Sequence, residues 1–226
     1  MVHKNSEETY EFIADFIDPA FFYSRKDVFH RMGMLGVFGE YVLSCTPGEV
    51  LEIGCGESSI YLSHLARKHN RLIYHCDAAP DKILNPLTVA GYMLEYAPAV
   101  VPPGPFVEFG PSKFYMGKSD DMFRDIAVKP LALSFIDGDH VYDQALKDFE
   151  NVFALTVDHG YILLHDTYPP EDSYLSEHRC GNVYLLRQEI EQRLDCDCIT
   201  LTKGTAMGVG LTIVRKKPAE KVFYHE

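Results

Sequence analysis

The segment Ser134-Phe135-Ile136-Asp137-Gly138-Asp139-His140-Val141-Tyr142 runs an apolar stretch straight into two carboxylates and an imidazole. A second apolar stretch ends in Leu163-Leu164-His165-Asp166-Thr167. If two neighbouring strands carry these stretches, Asp137, Asp139, His140, His165 and Asp166 enter one small volume. Carboxylates that converge repel one another unless a proton or a metal ion intervenes. Oxygen donors suit Mg²⁺, Ca²⁺ or Mn²⁺, and His165 as a ligand shifts the preference towards Mn²⁺, Fe²⁺ or Zn²⁺. Taken singly, each Asp reads as a helix cap and each His as a solvated loop residue. The coincidence of two such strand ends argues for a site.

A different chemistry is suggested upstream. Glu52-Ile53-Gly54-Cys55-Gly56-Glu57-Ser58-Ser59 follows an apolar run and precedes a helical pattern. Glycines at alternate positions let the backbone turn tightly and approach a ligand closely; a plain glycine turn is the bland alternative. A dinucleotide site usually has a third glycine, and Ser59 stands at that position. Glu57 at a helix start suits the positive helix end but would repel a pyrophosphate. A phosphate-free cationic nucleoside such as S-adenosylmethionine is not repelled. Asp77 lies 25 residues after Glu52, where a carboxylate can accept hydrogen bonds from both ribose hydroxyls, or simply cap a turn. Ser119 and Asp120 could flank an adenine ring or cap the helix that follows them.

Elements must place these residues. Apolar periodicity predicts helices over 12–17, 26–44, 58–68, 85–96, 122–126, 143–155 and 182–194, and strands over 49–53, 71–76, 114–116, 131–136, 161–164, 198–201 and 209–214. The proline-rich stretch 98–111 reads as a loop or an edge element. Strands alternating with helices give a mainly parallel sheet covered on both faces. The last two strands have no helix between them and should pair antiparallel. An open sheet of this kind binds ligands outside the carboxyl ends of its strands, which is where the polar residues gather. The chain reads as a single domain, with a helical cap over 1–47, a core over 48–215 and a tail over 216–226.

The 226 residues carry 21 basic and 33 acidic side chains, a net charge of −12. That balance disfavours general nucleic-acid binding, which needs a basic footprint. No apolar stretch approaches the roughly 20 residues that span a bilayer, and the first residues lack a signal-peptide core. A soluble, cytoplasmic protein is expected. The six cysteines include no CxxC pair, so neither a zinc knuckle nor a disulfide framework is suggested.

Together, Glu52-Ile53-Gly54-Cys55-Gly56, Asp77, the IDGDHxY stretch at 136–142 and the HDT stretch at 165–167 resemble class I S-adenosylmethionine-dependent methyltransferases. The last two stretches are similar to a small-molecule O-methyltransferase group that includes macrolide-sugar and cephalosporin-biosynthesis-like enzymes, and more distantly to catechol and caffeoyl-CoA O-methyltransferases. The resemblance implies an α/β, Rossmann-like doubly wound sheet of seven strands, order 3-2-1-4-5-7-6, with strand 7 antiparallel. It implies cofactor contacts from Glu52, Gly54, Gly56, Asp77 and Ser119, to which Cys55, Ser59, Asp120 and Asp137 are added as candidates. It implies a divalent cation, Mg²⁺ first and Mn²⁺ second, on Asp137 and Asp166. His165 stands beside Asp166 as a further ligand, where relatives often have an Asn or a second acid. The base is expected at His140 or Asp139, with His140 preferred because of its ordinary pKa.

The expected reaction is in-line methyl transfer to a hydroxyl oxygen of a small molecule, with no nucleic acid or membrane partner. Self-association is left open. The alternatives are a metal-independent methyltransferase with His140 as sole base, a nucleotide-linked oxidoreductase and a non-catalytic binding module.

Overall fold

A computed structural model describes residues 26–79, 106–109, 111–176, 178–202 and 209–219, and the side chains of all of these except 26–34, 57, 60 and 106–109. The helices expected over 12–17 and 85–96 lie outside the described residues. In chain order the elements are α1 (Lys26–Cys45), β1 (Glu49–Ile53), α2 (Glu57–Lys68), β2 (Ile73–Asp77), β3 (Phe106–Phe109), β4 (Ser112–Met116), α3 (Ser119–Asp125), β5 (Leu131–Ile136), α4 (Tyr142–Leu155), β6 (Thr156–His165), a 3₁₀ turn (Asp172–Tyr174), α5 (Val183–Ile190), β7 (Cys196–Leu201) and β8 (Leu211–Lys216).

The strands form one sheet of order β3-β4-β2-β1-β5-β6-β8-β7. β4, β2, β1, β5 and β6 are parallel neighbours. β8 runs antiparallel to both β6 and β7. Leaving out β3, the order is the expected 3-2-1-4-5-7-6 with the seventh strand antiparallel. β3 is the addition: part of the proline-rich stretch pairs antiparallel with β4 at the sheet edge, a place where proline's missing donor is tolerated.

Alternation along the strands sends side chains to two separate cores. Leu51 and Ile53 of β1, Ile136 of β5 and Ile162 and Leu164 of β6 pack with Met122 of α3, Phe149 and Val152 of α4, and Leu186 of α5. Val50, Leu133, Phe135 and Leu163 point the other way, onto Leu35 and Val42 of α1 and Leu62 and Leu65 of α2. Fully burying one such side chain stabilises the fold by roughly 1.5–3 kcal/mol. β6 is longer than its apolar run because the chain leaves α4 directly into extended backbone at Thr156, with exposed Asp158 and His159 before Tyr161. Among the described residues, no helix is long and apolar enough to cross a membrane.

Candidate functional site: a cavity joined to an acid–imidazole cluster

The sheet reverses direction of winding between β1 and β5, and these strands meet in register, Ile53 opposite Ile136. Their carboxyl ends therefore lie side by side: the Asp137 amide donates to the Ile53 carbonyl at 2.8 Å. Gly54, the next residue, has φ +89°, and a Cβ on it would stand 1.9 Å from the Asp137 carbonyl oxygen. Only glycine permits that approach. Gly56 differs. Its backbone is extended at φ −176°, and a Cβ there would meet nothing within 4 Å.

A cavity of about 620 Å³ opens at these strand ends, within the range of small-molecule and cofactor sites. Gly54, Cys55 and Gly56 line one side, Asp77 and Ala79 another, and Gly117 to Ser119 a third; Asp137 to His140, Gln144 and Asp148 complete it. Asp77 braces the turn as well as lining the cavity: its Oδ2 accepts from the Cys55 amide at 2.8 Å and its Oδ1 from the Ala79 amide at 2.7 Å. Each oxygen keeps a second lone pair for a ligand hydroxyl. The Cys55 thiol is buried, and desolvation together with Glu52 and Asp77 pushes its pKa far up, so it is no nucleophile.

Beside the cavity lies the cluster. β5 and β6 are parallel neighbours with Ile136 opposite Leu164, so Asp137 and His165 emerge next to each other. His165 Nδ1 donates to Asp137 Oδ1 at 3.0 Å and lies 3.3 Å from Asp166 Oδ2. His140 Nε2 lies 2.9 Å from Asp166 Oδ2 and 3.8 Å from Asp137 Oδ1. Asp166 adopts a left-handed φ of +60°, which costs on the order of 1 kcal/mol outside glycine and clusters at functional sites. Asp137 and His140 line the cavity, and His165 and Asp166 do not.

The four groups set one another's charge. Burial opposes ionisation of Asp137, but His165 and His140 hold its carboxyl well below the usual range. Burial is likewise outweighed at Asp166 by the same two imidazoles. Hydrogen bonds to Asp137 and Asp166 raise His140 to about 9. Burial opposes the charge on His165, yet Asp137 and Asp166 carry it to about 10. The two carboxylates beside His140 therefore favour its protonated form in metal-free protein, a form in which it cannot accept a proton. Asp139, the other candidate base, is exposed, and its Oδ1 accepts from the Val141 amide at 3.1 Å at the start of α4.

A stability prediction carries the sign. Both imidazoles have folded pKa values above the roughly 6.5 of an unfolded chain. Their pairing is fully present below that pH and is lost as pH rises through 9 to 10. Chemical denaturation of metal-free protein is expected to show stability falling by on the order of 3 kcal/mol between pH 6.5 and 10. A curve that is flat or rises over that window contradicts the pairing.

The residues also fit a divalent ion. Asp137, His140 and Asp166 each offer one donor atom, all within 4.8 Å of one another, a mixed oxygen–nitrogen set. His165, expected as a ligand, falls outside that trio, and His140, expected as the base, falls inside it.

Other sequence candidates are placed elsewhere. Glu52 is fully buried and does not line the cavity. Its Oε1 accepts from Ser58 Oγ at 2.5 Å and its Oε2 from His75 Nδ1 at 2.5 Å. His75 in turn stacks on Phe114 and meets Ser63 Oγ at 3.0 Å. Glu52 is thus a core residue beneath the turn, both its oxygens taken by Ser58 and His75. Glu52→Ala leaves a buried imidazole without its acceptor and is expected to destabilise by about 3–5 kcal/mol, read by urea denaturation. A loss under 1 kcal/mol would contradict this assignment. Ser59 is also buried away from the cavity, its Oγ accepting from the Gly56 amide at 3.0 Å. Asp120 pairs with Lys147 at 2.6 Å and does not line the cavity. Ser119 does line it, but its hydroxyl donates to Asp148 Oδ1 at 2.5 Å.

Asp148 and Gln144 were not singled out in the sequence. The signal was present: Ala145, Asp148, Phe149 and Val152 form the buried face of α4, and a carboxylate in an apolar stripe is out of place. Burial raises Asp148 to about 6.

With this geometry in hand, comparison with known proteins is informative. No curated protein matches the chain. Solved structures do. The O-methyltransferase from Bacillus cereus in complex with S-adenosylhomocysteine is 14% identical, with a TM-score of 0.59 over 96% of this chain and 93% of that one. The S-adenosylhomocysteine-bound methyltransferase PaMTH1 of Podospora anserina is 18% identical, with a TM-score of 0.56 over 82% and 79%. Cofactor-bound Rv0187 from MTB is 16% identical, with a TM-score of 0.59 over 80% of each chain. At these identities the likeness concerns the fold. The family profile described as a methyltransferase domain matches residues 51–167, from the strand before the glycine turn to the residue after Asp166. The chain belongs to the methyltransferase domain family.

Proposed function

We propose that this protein transfers a methyl group from S-adenosylmethionine to a hydroxyl oxygen of a small molecule, with a divalent cation held by Asp137, Asp166 and His140. The observation that carries the reading is the continuity of one cavity from the 54–56 turn and Asp77 to Asp137 and His140. A nucleoside whose ribose hydroxyls reach Asp77 then has room to bring its sulfonium methyl to the acid–imidazole cluster. The solved structures with S-adenosylhomocysteine bound support the choice of cofactor, and the O-methyltransferase among them supports the acceptor class.

In the reaction, the acceptor oxygen forms a bond to the methyl carbon as the carbon–sulfur bond breaks, giving methyl ether and S-adenosylhomocysteine, and one proton is released. The donor is activated by its own positive charge, so the protein's task is alignment and proton removal. Asp77 fixes the ribose, and the turn at 54–56 lets backbone approach the cofactor. A divalent ion held by Asp137, His140 and Asp166 would supply acidification of a bound hydroxyl, with His140 as a neutral ligand in that state. The released proton leaves towards solvent at the rim, where Asp139 is exposed.

Two measurements test this. Isothermal titration calorimetry is expected to show binding of S-adenosylhomocysteine and none of NAD⁺; folded protein that binds NAD⁺ and not S-adenosylhomocysteine would reinstate the oxidoreductase reading. A panel of hydroxyl and amine acceptors is expected to give products at hydroxyls alone, lost in chelator and restored by Mg²⁺ or Mn²⁺. Turnover that persists in chelator would replace the metal reading with a metal-independent one.

A further inference from the structure

The loop between β6 and α5 returns to the acid–imidazole cluster with three consecutive residues. Cys180 is buried, with a relative exposure of 0%, and its Sγ lies 3.4 Å from Asp166 Oδ1. An ionised carboxylate only accepts, so the thiol is the donor. The two oxygens of Asp166 thereby take different partners: Oδ1 faces Cys180, and Oδ2 faces His140 Nε2 at 2.9 Å. Gly181 follows at a left-handed φ of +53°, and a Cβ on it would stand 1.9 Å from the His140 carbonyl oxygen. The Asn182 amide donates to that same carbonyl at 3.1 Å, and Asn182 Oδ1 accepts from the Tyr142 amide at 2.5 Å. The loop braces itself as well, the Cys180 amide donating to the Tyr174 carbonyl and the Gly181 amide to the Ser176 carbonyl, each at 3.0 Å. One short stretch therefore grips both the segment after β5 and the end of β6. Neither Cys180 nor Asn182 lines the cavity.

We infer that Cys180 to Asn182 form a clasp that sets the spacing of the proposed cation ligands, with Cys180 as the positioning residue for Asp166. This rests on the metal reading above. The chain just beyond Asp166 is anchored separately: Arg187 Nε donates to the Thr167 carbonyl at 3.0 Å, and Thr212 Oγ1 to Thr167 Oγ1 at 2.8 Å. Those contacts fix where Asp166 stands but not how its carboxylate is turned. The terminal torsion of an aspartate is broad, and the thiol selects the setting in which Oδ2 meets His140. Hydrogen-bond partners orient a ligating carboxylate, and losing one typically costs 10–100-fold in metal affinity. A buried cysteine that served as a small apolar filler would have no such effect.

Mn²⁺ binding, followed by electron paramagnetic resonance without any acceptor present, tests the clasp independently of turnover. Cys180→Ala removes the donor and is expected to weaken Mn²⁺ binding by about tenfold. Cys180→Ser supplies an O–H donor and is expected to recover most of that loss. A filler role predicts the opposite order, because alanine suits an apolar site better than serine. Affinity for S-adenosylhomocysteine is expected to stay at the wild-type value in both variants. Unchanged Mn²⁺ affinity in folded Cys180→Ala, or weaker binding in Cys180→Ser than in Cys180→Ala, overturns the inference. Should the Cys180 variants not fold, the exposed Asn182 decides. Asn182→Ala loses the acceptor for the Tyr142 amide and is expected to weaken Mn²⁺ binding, with recovery in Asn182→Ser; unchanged affinity in Asn182→Ala overturns the clasp. Wild-type protein that binds S-adenosylhomocysteine but no Mn²⁺ is the separate outcome that removes the metal reading itself, and this inference with it.

Discussion

Asp137→Ala is expected to fold and to lose methyl transfer by on the order of 10³, equivalent to about 4 kcal/mol of transition-state stabilisation. The side chain is about a quarter exposed, so its removal opens no sealed cavity. It does remove one of the two carboxylates of the acid–imidazole cluster. Retained circular dichroism and retained S-adenosylhomocysteine affinity within tenfold would separate lost chemistry from lost fold. Asp137→Asn, which keeps shape but not charge, is expected to be nearly as inactive, because both a cation and the two imidazoles respond to charge. Activity within tenfold of wild type in either variant would remove Asp137 from the machinery. The companion readout is His165. Without Asp137 its pKa should fall from about 10 towards the ordinary imidazole value, observable by NMR titration.

The second large effect separates the two glycines of the turn. Gly54→Ala drives a Cβ into the Asp137 carbonyl oxygen and forces alanine into a left-handed φ of +89°. A loss of more than about 4 kcal/mol is expected, of the size seen when backbone strain and overpacking combine. For a chain of this length that corresponds to a melting temperature lowered by roughly 10 °C. Gly56→Ala has neither problem, since the backbone is extended and the space is open. It is expected to melt within about 2 °C of wild type, because surface changes away from special features stay within about 0.5 kcal/mol. Its S-adenosylhomocysteine affinity is nevertheless expected to fall by about tenfold or more on the proposed reading, because the new Cβ would project into the cavity that Gly56 lines. Equal stability of the two variants would show that the turn is not held as described. Unchanged affinity in Gly56→Ala would move the cofactor away from it.

Much of the fold was legible because its signals are local. Apolar strands such as 131–136 and the period of α4 declare themselves whatever they pack against. So did the antiparallel last pair, because a connection too short for a helix cannot return a parallel strand. The edge strand β3 was harder to read, since prolines argue against a strand and only the sheet edge relieves that objection. The carboxylate–imidazole gathering was read from residue types at two strand ends, and it depended on one condition that no local signal carries, that β5 and β6 are neighbours.

The amino-acid sequence by itself determined the alternation of strands and helices, the glycine turn and the residue types from which a site could be made. Only the tertiary structure decided what each group does, because charge state and accessibility depend on neighbours distant in the chain. Asp137 and Asp166, from two different strand ends, gathered around His140 and raised its affinity for a proton. His75, contributed by the adjacent strand, turned Glu52 from a ligand contact into a core residue. Packing of α4 against the sheet, with Ser119 supplied from α3, turned Asp148 from one acid among 33 into a buried carboxylate at the cavity wall. A pKa and a line of sight are properties of the folded surroundings, and no single residue type encodes either.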